Sequence, residues 1–234
     1  MALEGGGAII IWNDIAPDGR DEFYDWHINE HIPERLAIPG FRRGSRYRAM
    51  SSVTSPEFLT LYEISGASVA TSAAYLARLN APTDWTKRAT SYFRNTSRAL
   101  TQIVLSLGPG QGGVMGTVRF DSSPEGRTRV QNLASARMLL EKIAAMPRVT
   151  GVHLCTTDSD ASAAKTTESR ERRDILVAPA GALLIEGCDV AAVSLGIADV
   201  MTSVDLDRAV TTTGLYLLEH MQTASHAWQS GEDD

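Results

Sequence analysis

The chain has 234 residues, with 22 Lys+Arg against 28 Asp+Glu and 43% hydrophobic residues. At roughly 150 residues per domain this makes one large domain or two small ones, and ordinary apolar and charged fractions predict a folded globular protein. A net charge of −6 with a pI near 5.4 argues against a general nucleic-acid binder. No run approaches the roughly 20 apolar residues that span a bilayer, and the start MALEGGGAIIIWND lacks the basic region of a signal peptide. The expected setting is cytoplasmic, without nucleic-acid or membrane partners. Cys155 and Cys188, both in apolar strand-like surroundings, are expected as buried free thiols.

In chain order, the β-branched run from Gly7 to Asn13 reads as a strand. A turn at Asp18-Gly19 leads into a helix over 21–32, capped by Asp18 or Asp21 and expected to break or kink at Pro33. Pro39-Gly40 opens a second strand, Phe41–Ala49. The polar stretch 50–56 leads into a third, Phe58–Ile64. Helical pieces follow over 68–80 and 84–93, and 98–107 closes the unit as a fourth strand. The order β-α-β-β-α-β is the ferredoxin-like arrangement. Glycine and proline in 108–113 mark a linker.

Beyond the linker the pattern returns: strand Val114–Phe120, a long amphipathic helix over 125–146, strand Val149–Thr157, strand 183–186, a helical or mixed piece over 190–209, and strand 214–223. Ile38-Pro39 matches Met146-Pro147 at an offset of 108, and Leu61-Tyr62-Glu63 matches Leu184-Ile185-Glu186 at 123. The difference is absorbed by the Ser/Ala/Thr/charged stretch 158–174, which lacks apolar periodicity and is expected as a mobile hairpin loop near a barrel mouth. The chain thus divides into 1–107, the linker 108–113, a second repeat over 114–229 and an acidic tail over 230–234. The predicted class is α+β: two tandem ferredoxin-like repeats whose uncovered sheet faces press together as an intrachain α/β barrel. Such a chain can stand as a monomer or pair further as a homodimer.

Trp26-His-Ile-Asn-Glu-His31-Ile-Pro33, continuing to Pro39-Gly40-Phe41, resembles the dimeric α/β-barrel superfamily, in particular its EthD-like branch. The shared pattern is a helix ending His-x-Pro, then Pro-Gly opening the second strand. The resemblance implies ferredoxin-like units fused into one barrel, a helix-end histidine bordering the cavity (His31 directly, His27 by neighbourhood) and a catabolic setting. The superfamily hosts many chemistries, so fold alone does not choose the reaction.

At about 100° per residue, with Phe23 at zero, His27 falls near 40° and His31 near 80° on the apolar arc, with Glu30 and Glu34 within about 20° of Phe23. Two imidazoles one turn apart, edged by carboxylates, suit proton transfer near neutral pH. The second-repeat helix has no histidine, so the site occurs once per chain. On strand Phe41–Ala49, alternation puts Phe41, Arg43, Ser45 and Tyr47 under the helices. Arg42, Arg46 and Arg48 then point into the barrel or its rim, paired with Glu63 or Asp14 or holding a substrate anion.

His31 or His27 is therefore assigned the proton, Glu30 or Glu34 the orientation of the imidazole, and Arg46 or Arg48 the charge developing on oxygen. Trp12, Arg46, Tyr47 and Glu63 are the candidate substrate contacts within the barrel. The predicted function is a cofactor-independent isomerase, cyclase, lyase or dehydratase acting on a small carbonyl compound or lactone. A non-catalytic ligand-binding protein is one alternative. A haem-linked or oxygen-dependent enzyme with His31 or His27 as axial ligand is another. His27-x-x-Glu30-His31 also satisfies the His-x-x-Glu-His zinc pattern, but no third ligand is evident, and a divalent metal stays a minor alternative. No Ser/His/Asp arrangement is legible.

Overall fold

The computed structural model describes residues 3–170, 174–203 and 210–224; the end of the expected helical piece, 204–209, and the tail 230–234 lie outside them. Strand β1 (Gly7–Ile15) pairs antiparallel with β3 (Phe58–Ile64) and β4 (Phe93–Leu107), and β3 pairs with β2 (Phe41–Ala49). The first half therefore has the order β4-β1-β3-β2. Strands β5 (Val114–Phe120), β6 (Val149–Thr157), β7 (Gly181–Gly187) and β8 (Thr211–Thr223) adopt the matching order β8-β5-β7-β6. Two antiparallel seams, β2 with β8 and β4 with β6, close all eight into one barrel. This is the predicted α+β class, with two ferredoxin-like sheets forming an intrachain barrel. Closure leaves no unpaired edge, so neither sheet is exposed to edge-on association.

The barrel interior is solid. Ala8, Ile10 and Trp12 of β1 meet Leu59 and Leu61 of β3, Tyr47, Met115, Leu184 and Tyr216, with Leu3 among them. An eight-stranded barrel is just wide enough for its own side chains to fill. The expectation that Trp12 and Tyr47 offer substrate contacts within the barrel is therefore corrected: both are core, and the cavity described below lies outside the sheet.

A second correction concerns β2. A bulge between Phe41 and Arg43 changes the alternation there. Phe41 packs in the helix layer and Tyr47 in the barrel core, so Tyr47 belongs to the interior set. Gly44 faces the helix layer: a Cβ there would come within 2.9 Å of the Tyr62 ring and 3.2 Å of Ile32. Arg46, two residues on, shares that face. The faces expected from simple alternation are reversed here because one extra residue inverts a period of two.

On the outer face, the first helix runs as α1 (Arg20–Trp26), a π turn His27–His31 and α2 (Ile32–Leu36). Pro33 does not end it. The Ile32 N–H reaches back five residues to the His27 carbonyl, shifting the hydrogen-bond ladder just before the residue that lacks a donor. Helices α3 (Ala73–Asn80) and α4 (Asp84–Thr90) complete this layer. In the second half the expected single helix over 125–146 is divided into α5 (Pro124–Ser135) and α6 (Arg137–Ala144) at Ala136. The 158–174 insertion carries the short helices α7 (Ser159–Ala163) and α8 (Thr167–Arg170), and α9 (Val190–Ser203) packs on β5 and β7. Cys155 is buried, which pushes its thiol up to about 12, whereas Cys188 is exposed, contrary to expectation. Among the described residues no helix is long and apolar enough to cross a membrane.

Candidate functional site

A cavity of about 770 Å³ opens between the first-half sheet, its helices and the insertion. Its floor is Ile11 of β1, Tyr62 of β3 and Thr96 and Arg98 of β4; Ile11 and Arg98 are register partners. His31 and Arg35 form one wall and Tyr75 and Leu79 of α3 another, while residues from 159 to 178 form the roof. The roof belongs to the second half of the chain yet lies on the first. The Leu176 N–H donates to the Thr96 carbonyl at 2.7 Å, and the Thr96 N–H donates to that of Asp174 at 3.0 Å. The Leu100 N–H donates to Ser162 Oγ at 2.9 Å, and the Thr167 N–H to Asn80 Oδ1 at 3.1 Å. Glu168 anchors the roof: its carboxylate accepts from Arg35 Nη2 at 2.6 Å, with both side chains 5% exposed or less.

Of the nine predicted site residues, only His31 lines this cavity. Its ring lies on the Trp26 indole at 4.2 Å between centroids, 5.5 Å from His27 and 6.1 Å from Tyr62. His27 lies deeper, between helix and sheet. Its Nδ1 is 3.5 Å from Arg46 Nη1 and its Nε2 3.5 Å from Thr60 Oγ1. Burial, then the Arg46 charge, holds its pKa well below the usual imidazole range. Neutral His27 with Nε2–H toward Thr60 and Nδ1 accepting from Arg46 satisfies both contacts.

The predicted carboxylates are engaged elsewhere. Glu30 Oε1 accepts from the Trp26 indole at 3.1 Å, Thr83 Oγ1 at 2.6 Å and Thr86 Oγ1 at 2.9 Å, tying the π turn to α4. It therefore does not orient an imidazole. Glu34 lies 3.2 Å from Arg78 Nε, with its pKa raised by burial despite that cation. Arg48 is half-exposed and bonded to Glu57, away from the cavity. Arg46 is buried, pairs with Glu219 at 3.1 Å and stacks over the Tyr24 ring at 4.5 Å. Glu63 is fully buried and receives Arg43 Nε at 2.7 Å, Arg43 Nη2 at 2.8 Å and the Glu4 N–H at 2.6 Å. Burial still raises its pKa. Tyr47, too, is pushed above the usual phenol range by burial.

Sequence reasoning misses Arg35, Tyr75, Thr96, Arg98 and Glu168. Arg98 and Thr96 carry a local signal, two polar side chains two apart at the start of a strand, but nothing shows that a distant insertion would roof them. A further cluster is also missed. Ser106 Oγ lies 2.9 Å from His153 Nδ1, and His153 Nε2 lies 3.4 Å from Glu186, whose other oxygen accepts the Gly112 N–H at 3.2 Å. It does not line the cavity. Among the described residues no group of three His, Cys, Asp or Glu is placed to hold a metal.

No protein-family model matches the chain, and no curated protein matches its sequence. Solved structures do share its fold. An anthrone oxidase-like protein is similar over 99% of each chain at a TM-score of 0.61 and 10% identity. A candidate monooxygenase from Lactobacillus acidophilus is similar over 95% of this chain and 98% of its own, at 0.55 and 10%. A haem-binding protein from Thermus thermophilus is similar over 93% of this chain and 92% of its own, at 0.50 and 10%. At such identities the shared property is the architecture.

Proposed function

We propose that the chain is a small-molecule enzyme in which His31 moves a proton on an enolisable carbonyl compound held in the cavity beneath the insertion. The observation that carries this reading is that His31 is the one imidazole on the cavity wall among the described residues, and the wall also holds phenol and guanidinium groups. The imidazole would take a proton from the carbon beside the carbonyl, and the electron pair would move onto oxygen. The Tyr75 hydroxyl, which accepts from Arg98 Nη2 at 3.3 Å, is the fixed donor that would stabilise that oxygen. Returning the proton at another carbon isomerises the compound; loss of a β-substituent makes the reaction an elimination. Trp26 stacks on the His31 ring from behind, and Leu79 lines the space beside it. The EthD-like segment supports this reading, since its helix-end histidine is the residue that reaches the cavity.

A second reading rests on the same wall: one imidazole facing several cations is also a donor set that suits haem. His31 would hold the haem iron, and Arg98, Arg127 and Lys165 would hold its carboxylates. Haem would supply redox chemistry when bound. His27 does not suit that role, since both its nitrogens already meet Arg46 and Thr60. The names of the structural neighbours make oxidation of the deprotonated compound by dissolved dioxygen, which would take up the electrons, a further outcome to monitor.

The test is proton exchange. A panel of enolisable ketones, lactones and anthrones in D₂O is followed by NMR with the wild type and His31→Gln. Loss of catalysed exchange by about 10²-fold or more in His31→Gln is expected. Exchange equal to wild type would refute the role of His31. An absorption scan of the purified protein reports haem directly.

A further inference from the structure

We infer that the cavity is built for a carboxylate-bearing apolar compound, with the carboxylate seated on Arg98 and Thr96. The seat follows from what the cavity floor leaves unsatisfied. Thr96 is 2% exposed and its Oγ1 has no hydrogen-bond partner; Arg98 Nε is likewise enclosed and unpartnered. Both residues stand two apart on the same face of β4 and line the cavity. An enclosed donor left unmade costs about 1–3 kcal/mol, more when charged, so a floor with two such donors is completed by an acceptor from the ligand.

Charge selects the acceptor. Four cationic side chains line the cavity, Arg35, Arg98, Arg127 and Lys165, against Asp160 and Glu168. Glu168 already neutralises Arg35. Among the described residues Arg98, Arg127 and Lys165 form no ion pair, so the cavity is locally positive on a chain of net charge −6. A carboxylate offers two oxygens in one plane, matching a guanidinium edge beside a hydroxyl. The apolar lining favours an apolar body for the rest of the ligand, and an aromatic ring supplies one. The Tyr75 ring packs against two guanidiniums, 5.9 Å from Arg35 and 5.7 Å from Arg98, and Ile11, Leu79 and Leu176 line the same space.

The seat deepens the proposed function and rests on it only for which end of the ligand reacts. The experiment is a calorimetric titration with 2-naphthoate and its neutral counterpart 2-naphthamide. The wild type should bind naphthoate at least about tenfold more tightly, from one charge-assisted contact set. Arg98→Gln should bring the two ligands within about twofold while keeping naphthamide affinity, which certifies the fold. Thr96→Val should weaken naphthoate several-fold. Equal affinities in the wild type, no binding of either ligand, or a preference that survives Arg98→Gln would each overturn the seat. His31→Gln should keep the naphthoate preference. Exchange in His31→Gln equal to wild type, with the naphthoate preference intact, sinks the proton-transfer reading alone; His31-dependent exchange without that preference sinks the seat alone.

Discussion

Replacing Glu168 by glutamine removes one charge from an ion pair 2.6 Å long in which Arg35 is 3% and Glu168 5% exposed. The substitution keeps the shape, so the loss is electrostatic. Arg35 stays charged at any ordinary pH: burial works against its charge, and the Glu168 carboxylate more than offsets that and raises its pKa. Among the described residues the carboxylate that remains near it is Glu34, 4.0 Å away and shared with Arg78. Breaking a buried pair from one side costs about 3–5 kcal/mol, because the other charge is left uncompensated. Replacing both by apolar residues, Arg35→Met with Glu168→Leu, removes the desolvation problem and should lie within about 2 kcal/mol of wild type. A double-mutant cycle by urea denaturation should therefore show strong coupling, with the midpoint falling in each single variant and largely restored in the pair. The cost in the single variant has a ceiling: if the roof detaches before the barrel unfolds, Arg35 regains water and the loss equals the free energy of local opening. Hydrogen exchange at the Leu176 amide distinguishes the cases, since its bond to Thr96 breaks only when the roof opens. A Glu168→Gln loss below about 1 kcal/mol with unchanged exchange at Leu176 would refute the assignment of Glu168 as the anchor.

Other expectations test separate parts of the structure. His27 is neutral in the fold because its pKa is depressed, whereas the unfolded chain protonates it near 6.5. Its contribution is therefore fully present above that pH and is lost as pH falls below it, at up to about 1.4 kcal/mol per unit; denaturation between pH 7 and 5 should show a shallower decline in His27→Gln. Leu184→Ala, in the filled barrel, should cost about 2–5 kcal/mol and leave naphthoate affinity unchanged; a change in affinity would place the ligand inside the barrel instead. Cys188, exposed, should react with a disulfide reagent in the native state. Cys155, buried with its thiol pushed up to about 12, should react only on unfolding, and two equal fast phases would contradict the fold assigned to β6.

The succession of short apolar runs, Pro-Gly and Gly-rich breaks and a repeated element order determined the architecture by itself. Period-two burial and turn chemistry are local properties, and two uncovered sheets have few ways to bury themselves other than against each other. The helix arc of Phe23, His27 and His31 was legible on the same grounds, and His31 did reach the cavity. The finer assignments depended on single-residue shifts that periodicity does not resolve. One bulge near Phe41 changed the face presented by Arg46, and a π turn carried the helix through Pro33. Glu30 was close enough in sequence to serve an imidazole, yet three donors from its own helix and from Thr83 and Thr86 hold its oxygen. Only the tertiary structure decided where a ligand can go. The barrel filled itself, and a segment about eighty positions beyond β4's first residues folded back over Thr96 and Arg98. A contact between segments so far apart leaves no periodic trace in either, so the cavity, its roof and its cationic floor became visible only once the chain had closed.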